Sequence, residues 1–292
     1  MSILEALIQG IIQGVTEFLP VSSSGHLSLF QHFFGLSGSE ALFFTVMLHL
    51  GTLVAVVIAY YDTIWKMIVE FFKMIGDIFT GKFKYKEASE ERKLVILIFI
   101  ALLPLLVFFL AKDFFTHLSE DNDIIVEGVC FLFTGSMLFL ADKCIKGKKT
   151  AKTTKLRDAL SVGLFQGIAV MPGVSRSGTT ISVGLLNGFS REYAVTFSFI
   201  LGIPTILAAS VFEFRDAMKE GIEIEVVPMI VGVLASAIFG LLTIKLITWL
   251  VKTNKFGFFA YYTLILGVVV LILGLIEMFT GHSLSFVSAA AN

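Results

Sequence analysis

The sequence predicts an all-α polytopic membrane protein folded as an inverted-topology repeat. Three observations carry this: an apolar composition, six apolar stretches of bilayer-crossing length, and self-similarity at a fixed offset. Of 292 residues, 56% are hydrophobic and only 15% charged, and the mean hydropathy of +0.89 is too high for a soluble domain of this size. A formal net charge of -1, with basic residues spread through loops, excludes nucleic acid as an expected partner. Cys130 and Cys144 match neither a disulfide framework nor zinc-ligand spacing and read as unpaired thiols. Residues 1–19 lack the basic start and small-residue cleavage site of a removable signal peptide, so the N-terminus is expected to belong to the fold.

The apolar stretches 41–61, 94–111, 124–141, 193–214, 226–250 and 257–279 predict six crossings, since roughly 20 residues of helix span the hydrocarbon core. Two further apolar regions, 3–36 and 158–190, are interrupted by Ser22-Ser23-Ser24-Gly25-His26 and by Pro172-Gly173-Val174-Ser175-Arg176-Ser177-Gly178. Each half is too short to span. Backbone broken at membrane depth is tolerated only where it faces protein or water, which predicts two re-entrant helix pairs.

The repeat fixes the architecture. Sliding the chain by 153 positions aligns Gly10, Gln13, Gly14, Val21, Ser22, Ser24, Gly25 and Ser37 with identical residues at Gly163, Gln166, Gly167, Val174, Ser175, Ser177, Gly178 and Ser190. Shared apolar bias does not align Gln and Ser. A single membrane domain over 1–292 is expected, with unit one at about 1–147 and unit two at about 154–280. Each unit holds one re-entrant pair and three crossings, and three is odd, so the second unit lies upside down. Sites in such folds sit near the midplane between discontinuous helices. The basic loops 62–93 and 143–157, with Lys252 and Lys255, predict a cytoplasmic side, and the mainly acidic loops 112–123 and 215–225 the other; both termini are then extracytoplasmic.

Ionisable groups inside the hydrocarbon region are costly, so Glu17, His26 and Arg176 are functional candidates, all three falling at the two breaks. Helices restarting near Ser23 and Ser175 aim free N–H groups and positive dipole ends into the site, and Gly25 and Gly178 permit close approach, which suits phosphate. Arg176 adds a permanent cation with a planar fork of donors. Ser22, Ser23, Ser24, Ser175, Ser177, Thr179 and Thr180 offer hydroxyls to a phosphate cradle, although capping is the commoner use of each. Glu17 and His26 belong to the first unit and are replaced by Val170 and Thr179 in the second, whereas Arg176 replaces Ser23. Acid-base capacity and fixed positive charge are thus divided between halves, an arrangement that fits phosphoryl transfer. His26 is a candidate acid, base or nucleophile. Glu17, one helical turn from Gln13, faces the same way and with it forms a candidate site for a divalent cation, Mg or Ca. His32, His49, His117 and His282 receive no role.

The stretches Gln13-Gly14-Val15-Thr16-Glu17-Phe18-Leu19-Pro20-Val21-Ser22-Ser23-Ser24-Gly25-His26 and Pro172-Gly173-Val174-Ser175-Arg176-Ser177-Gly178-Thr179-Thr180 resemble the two signature motifs of the bacterial undecaprenyl-diphosphate phosphatase family, the bacitracin-resistance type. The resemblance implies an enzyme of the plasma membrane. It would hydrolyse undecaprenyl diphosphate to the monophosphate and phosphate, recycling the lipid carrier of cell-wall synthesis with a divalent cation and a site reached from the outer face. It also implies that Gln13 and Glu17 form the acidic motif, that Ser23 and His26 are the nucleophile and its helper in either order, with His26 the favoured attacker, and that Ser175, Arg176 and Thr180 bind phosphate. Gln13 stands where many relatives place Glu, one negative charge fewer at the cation site. The expected partners are the membrane, a polyprenyl diphosphate and, as an open option, a second copy of the chain in a homodimer. Two rivals remain: a lipid transporter or flippase using the same midplane site, and the membrane phosphatase family whose Pro-Ser-Gly-His stretch is superficially similar but which pairs it with a second histidine that nothing after Arg176 provides within reach.

Overall fold

The computed structural model describes residues 1–36, 38–110, 124–144, 147–171, 173–220, 225–252, 257–281 and 284. These form eleven α-helices: α1 (Ile3–Phe18), α2 (Ser23–Phe34), α3 (Ser39–Ala59), α4 (Tyr61–Phe79), α5 (Glu90–Leu110), α6 (Ile125–Asp142), α7 (Leu156–Ile168), α8 (Arg176–Leu186), α9 (Arg191–Glu220), α10 (Val226–Lys252) and α11 (Gly257–Thr280). Five of them, α3, α6, α9, α10 and α11, are long and apolar enough to cross a membrane. α5 has an apolar body behind the charged start Glu90-Glu91-Arg92-Lys93. Large apolar side chains such as Leu42, Ile58, Leu106, Val211, Leu234 and Phe258 point outward, an arrangement hydrocarbon accepts and water does not.

The two expected breaks are present. α1 ends where Leu19 turns extended, and α2 restarts at Ser23 under the cap of Ser22. α7 ends at Ile168, and α8 restarts at Arg176 under the cap of Ser175. Close packing holds the first helix of each pair. A Cβ on Gly14 would lie 2.7 Å from the Ser236 carbonyl oxygen of α10, so α1 and α10 touch backbone to backbone through small residues. α7 packs in the same way on α5, with Gly163 against Ala101.

One expectation is overturned. Residues 62–93 are not a loop: they form α4, a turn at Tyr85–Glu87 and the start of α5. Counting basic residues hid a 3.6-residue period. Trp65, Phe72 and Phe79 are exposed on one face of α4, while Glu70 and Asp77 on another receive Arg92 of α5 at 2.9 and 2.6 Å. An amphipathic helix of this kind suits the membrane surface. The acidic loop 112–123, residues 221–224 of the expected loop 215–225, Lys255, His117, His282, Ser37 and Pro172 lie outside the described residues, whereas 215–220 are not loop but the end of α9. Both cysteines are free.

Candidate active site

The site grows from one strained residue. Ser22 has φ 72°, a left-handed conformation that costs a non-glycine residue about 1–3 kcal/mol. Its own hydrogen bonds hold it there. The Ser22 hydroxyl donates to the Gly173 carbonyl at 2.7 Å and accepts from the Gly25 N–H at 3.2 Å, and the Ser22 carbonyl lies 2.7 Å from His26 Nδ1. The Gly173 N–H donates in turn to Ser24 Oγ at 3.2 Å, and Ser177 Oγ donates to the Glu17 carbonyl at 3.1 Å. These bonds pin the two breaks together, so the N-termini of α2 and α8 share one site.

Glu17 is its centre. Only 6% exposed, it accepts from Arg176 Nη2 at Oε1 (2.5 Å) and from Ser23 Oγ (2.6 Å) and Gln13 Nε2 (3.1 Å) at Oε2. The second Arg176 nitrogen donates to the Ser198 carbonyl at 3.2 Å. Both charges of this buried pair are hydrogen-bonded, the condition under which such a pair is tolerated. The structure therefore brings together Gln13, Glu17, Ser23 and Arg176 from two separate helix pairs.

It does not bring His26 into that cluster. Because a carbonyl only accepts, the Nδ1 contact with Ser22 requires a proton on Nδ1, which leaves Nε2 to accept from the Tyr262 hydroxyl at 2.8 Å. The two rings stack at 5.9 Å, and Phe131 closes the edge at 5.3 Å. His26 thus turns toward α11 and a partly exposed tyrosine, while Ser23 turns toward Glu17.

The remaining hydroxyls divide between a cap, internal bonds and an unpartnered group. Ser175 caps α8 by accepting from the Gly178 N–H at 2.9 Å, and its own N–H donates to Thr134. Thr180 lies 2.8 Å from the Arg176 carbonyl and 2.6 Å from Ser198 Oγ. Thr179 Oγ1 is fully buried and has no hydrogen-bond partner among the described residues.

Sequence reading missed four contributors: His49, whose Nε2 lies 3.6 Å from Glu17 Oε2; Tyr262; Ser198; and Gly202, which borders the Arg176 guanidinium. For His49 the signal was available, since an imidazole inside an apolar span is a candidate by the same rule that selected His26. The other three are ordinary residues until the helices pack.

A divalent cation fits the donor set in one respect that can be checked. Gln13 Oε1 is buried beside the Glu17–Arg176 pair and has no hydrogen-bond partner among the described residues. Among the described residues no three His, Cys, Asp or Glu gather into a metal centre, so any cation here would rely on Gln13 beside Glu17.

Residues 6–269 match the family described as "Bacitracin resistance protein BacA". The chain belongs to that family. It is similar to proteins named undecaprenyl-diphosphatase. One from Alkaliphilus metalliredigens is 42% identical, covering 94% of this chain and 100% of the relative. One from Halothermothrix orenii is 37% identical over 94% and 98%, and one from Methanobrevibacter smithii is 38% identical over 96% and 100%. The family match spans both breaks and every residue of the Glu17 cluster.

Proposed function

We propose that this protein hydrolyses undecaprenyl diphosphate to undecaprenyl phosphate and inorganic phosphate, recycling the lipid carrier of cell-wall synthesis. The observation that carries the reading is the Ser23–Glu17–Arg176 chain of hydrogen bonds at two meeting helix starts. It holds a hydroxyl nucleophile, a carboxylate that accepts its proton and a guanidinium for the phosphate, all within contact. The terminal phosphate would take the place beside Arg176 and the α2 and α8 N–H groups. Ser23 Oγ would attack phosphorus as its proton passes to Glu17 Oε2, and the P–O bond to the lipid phosphate would break. Water would then free phosphate from Ser23. This order reverses the sequence-based preference for His26 as attacker. We assign His26, held by Ser22 and Tyr262, to positioning the leaving lipid phosphate, which departs as an anion and needs no proton. Gln13 and Glu17 would hold a divalent cation, Mg or Ca in the first instance, and such an ion neutralises diphosphate charge.

The architecture we propose around this site is an inverted repeat with six crossings, α3, α5, α6, α9, α10 and α11, and two re-entrant pairs. In support, Ser22 and Ser175 stand 153 positions apart and cap their helices through Gly25 and Gly178 alike, and Gly10 and Gly163, at the same offset, seat α1 and α7 on α10 and α5. The chain would lie in the bacterial plasma membrane with basic loops cytoplasmic, both termini outside and the site open to the outer face; a homodimer would be compatible with this arrangement. The relatives bear enzyme names, which favours turnover over lipid transport.

The test is phosphate release from a long-chain polyprenyl diphosphate by detergent-purified protein, with and without a chelator, in wild type, Ser23→Ala, His26→Ala and Arg176→Ala at matched folding. The reading expects cation-dependent release, lost by at least about 100-fold in Ser23→Ala and Arg176→Ala. Retained release in Ser23→Ala with loss in His26→Ala would return the nucleophile to His26. No release from wild type with any divalent cation would end the phosphatase reading.

A further inference from the structure

A second cavity lies away from the Glu17 cluster, on the side where the basic segments 62–93 and 143–157 connect the helices. It measures about 670 Å³ and is bounded by the end of α3, the first turns of α9 and the last turns of α10. Ile58, Val195, Leu241 and Val251 supply apolar walls, and Tyr60, Thr196 and Thr248 bring three hydroxyls. Tyr60 meets Phe199 edge-on at 6.2 Å, and Phe199 meets Phe18 at 5.1 Å. Phe18 adjoins Glu17, so two rings stand between this cavity and the site described above.

Lys245 marks what the cavity takes. It is the one charged residue of α10 before Lys252, in a helix long and apolar enough to cross a membrane. A charge so placed is costly and points to a ligand unless its head reaches water. Lys245 stands two turns before the end of α10, about 10 Å along the axis. Helical side chains lean toward the N-terminus, so its stem leads away from the nearer surface, against the direction that snorkelling needs. Among the described residues no ion pair or hydrogen bond occupies the Lys245 ammonium. Glu192 shares the rim but has a partner of its own. Lys245 and Thr248 are one turn apart and line the cavity together. A cation, hydroxyls and apolar walls in one place suit a phosphate carried on a hydrocarbon chain.

We propose that this cavity binds an anionic phospholipid, with Lys245 as the counter-charge of its phosphate and the apolar walls against its acyl chains. In the orientation proposed above the cavity faces the cytoplasmic leaflet, whose surface is negative, whereas the polyprenyl diphosphate reacts at the other face. The bound lipid is therefore neither substrate nor product.

The probes are dioleoyl phosphatidylglycerol and dioleoyl phosphatidylcholine, which share chains and phosphate and differ in net charge. Each is titrated into the delipidated full chain in detergent, and retained lipid is counted by native mass spectrometry. Wild type should hold one phosphatidylglycerol in preference to phosphatidylcholine. Lys245→Gln should weaken phosphatidylglycerol by at least about fivefold, and Lys245→Arg should keep it. Leu241→Trp, which fills the cavity and leaves the charge, should also exclude it. Phosphate release in detergent should be the same in wild type and Lys245→Gln, which separates this site from the hydrolytic one. Thermal midpoints identify any misfolded variant, and Thr248→Val then serves as a second substitution. Equal binding of phosphatidylglycerol by wild type and Lys245→Gln, or no preference over phosphatidylcholine, overturns the proposal. Loss in Lys245→Gln with retention in Leu241→Trp overturns it too, because the lysine would then act from the open surface. Undecaprenyl phosphate that displaces phosphatidylglycerol at lower concentration would reassign the cavity to the polyprenyl lipid and overturn the phospholipid.

Discussion

Gly202 of α9 leaves the space that the Arg176 guanidinium fills. A Cβ at Gly202 would run into Nη1 and lie 2.7 Å from Cζ and 2.9 Å from Nη2. This glycine sets how far Arg176 reaches toward Glu17. Gly202→Ala is expected to displace the guanidinium and lower kcat/KM by up to about 100-fold, the penalty of a misplaced charge. Its thermal midpoint should move far less than that loss suggests. Gly76→Ala, on α4 with open space around it, is the control: activity unchanged and stability equal or higher by about 0.5–1 kcal/mol. Equal activity in both variants would detach Gly202 from the site.

The Glu17–Arg176 pair predicts non-additive stability. Removing one partner leaves the other buried and unpaired, so Glu17→Gln or Arg176→Gln alone should cost about 3–5 kcal/mol. The double variant should cost clearly less than the sum while remaining inactive. Unfolding of all four proteins in one detergent reads the coupling. Simple additivity would mean that the two side chains do not interact.

Ser22 separates backbone from hydroxyl. Ser22→Ala keeps the left-handed strain and loses both the cap and the bond to Gly173, so it should destabilise by about 1–2 kcal/mol. Ser22→Gly loses the same hydroxyl but relieves the strain, and should be the more stable of the two. Thermal midpoints decide the order, and Ala above Gly would contradict a strained φ at this position.

Between α4 and α5, Glu70 predicts a pH effect of defined sign. Burial raises its carboxyl pKa, and the hydrogen bonds and charges of Lys73 and Arg92 outweigh this and hold it below the ordinary value. A carboxylate depressed in the folded state stabilises above its unfolded pKa, and that contribution is lost as pH falls through the folded value. Wild type should therefore exceed Glu70→Gln in thermal midpoint at pH 7, with the gap closing below about pH 4. A gap that stays constant with pH would show that the loss is one of packing.

Much of this was legible in the residue order because the signals are local. Apolar length marks the spans, an interrupted apolar run marks the breaks, and a four-residue separation puts Gln13 and Glu17 on one face of α1, where they are hydrogen-bonded. The amphipathic period of α4 is equally local, but its basic residues give the same stretch the composition of a loop. What the sequence by itself determined was a helical membrane protein with two broken segments carrying Glu17, His26 and Arg176. Only the tertiary structure decided that Ser23 rather than His26 touches Glu17, that His49 joins them from α3, and that Gly202 makes room for Arg176. The physical reason is that the helical period fixes which residues share a face. Distances between helices depend on how side chains interlock across the packed faces, and these few ångströms separate a nucleophile from its neighbour.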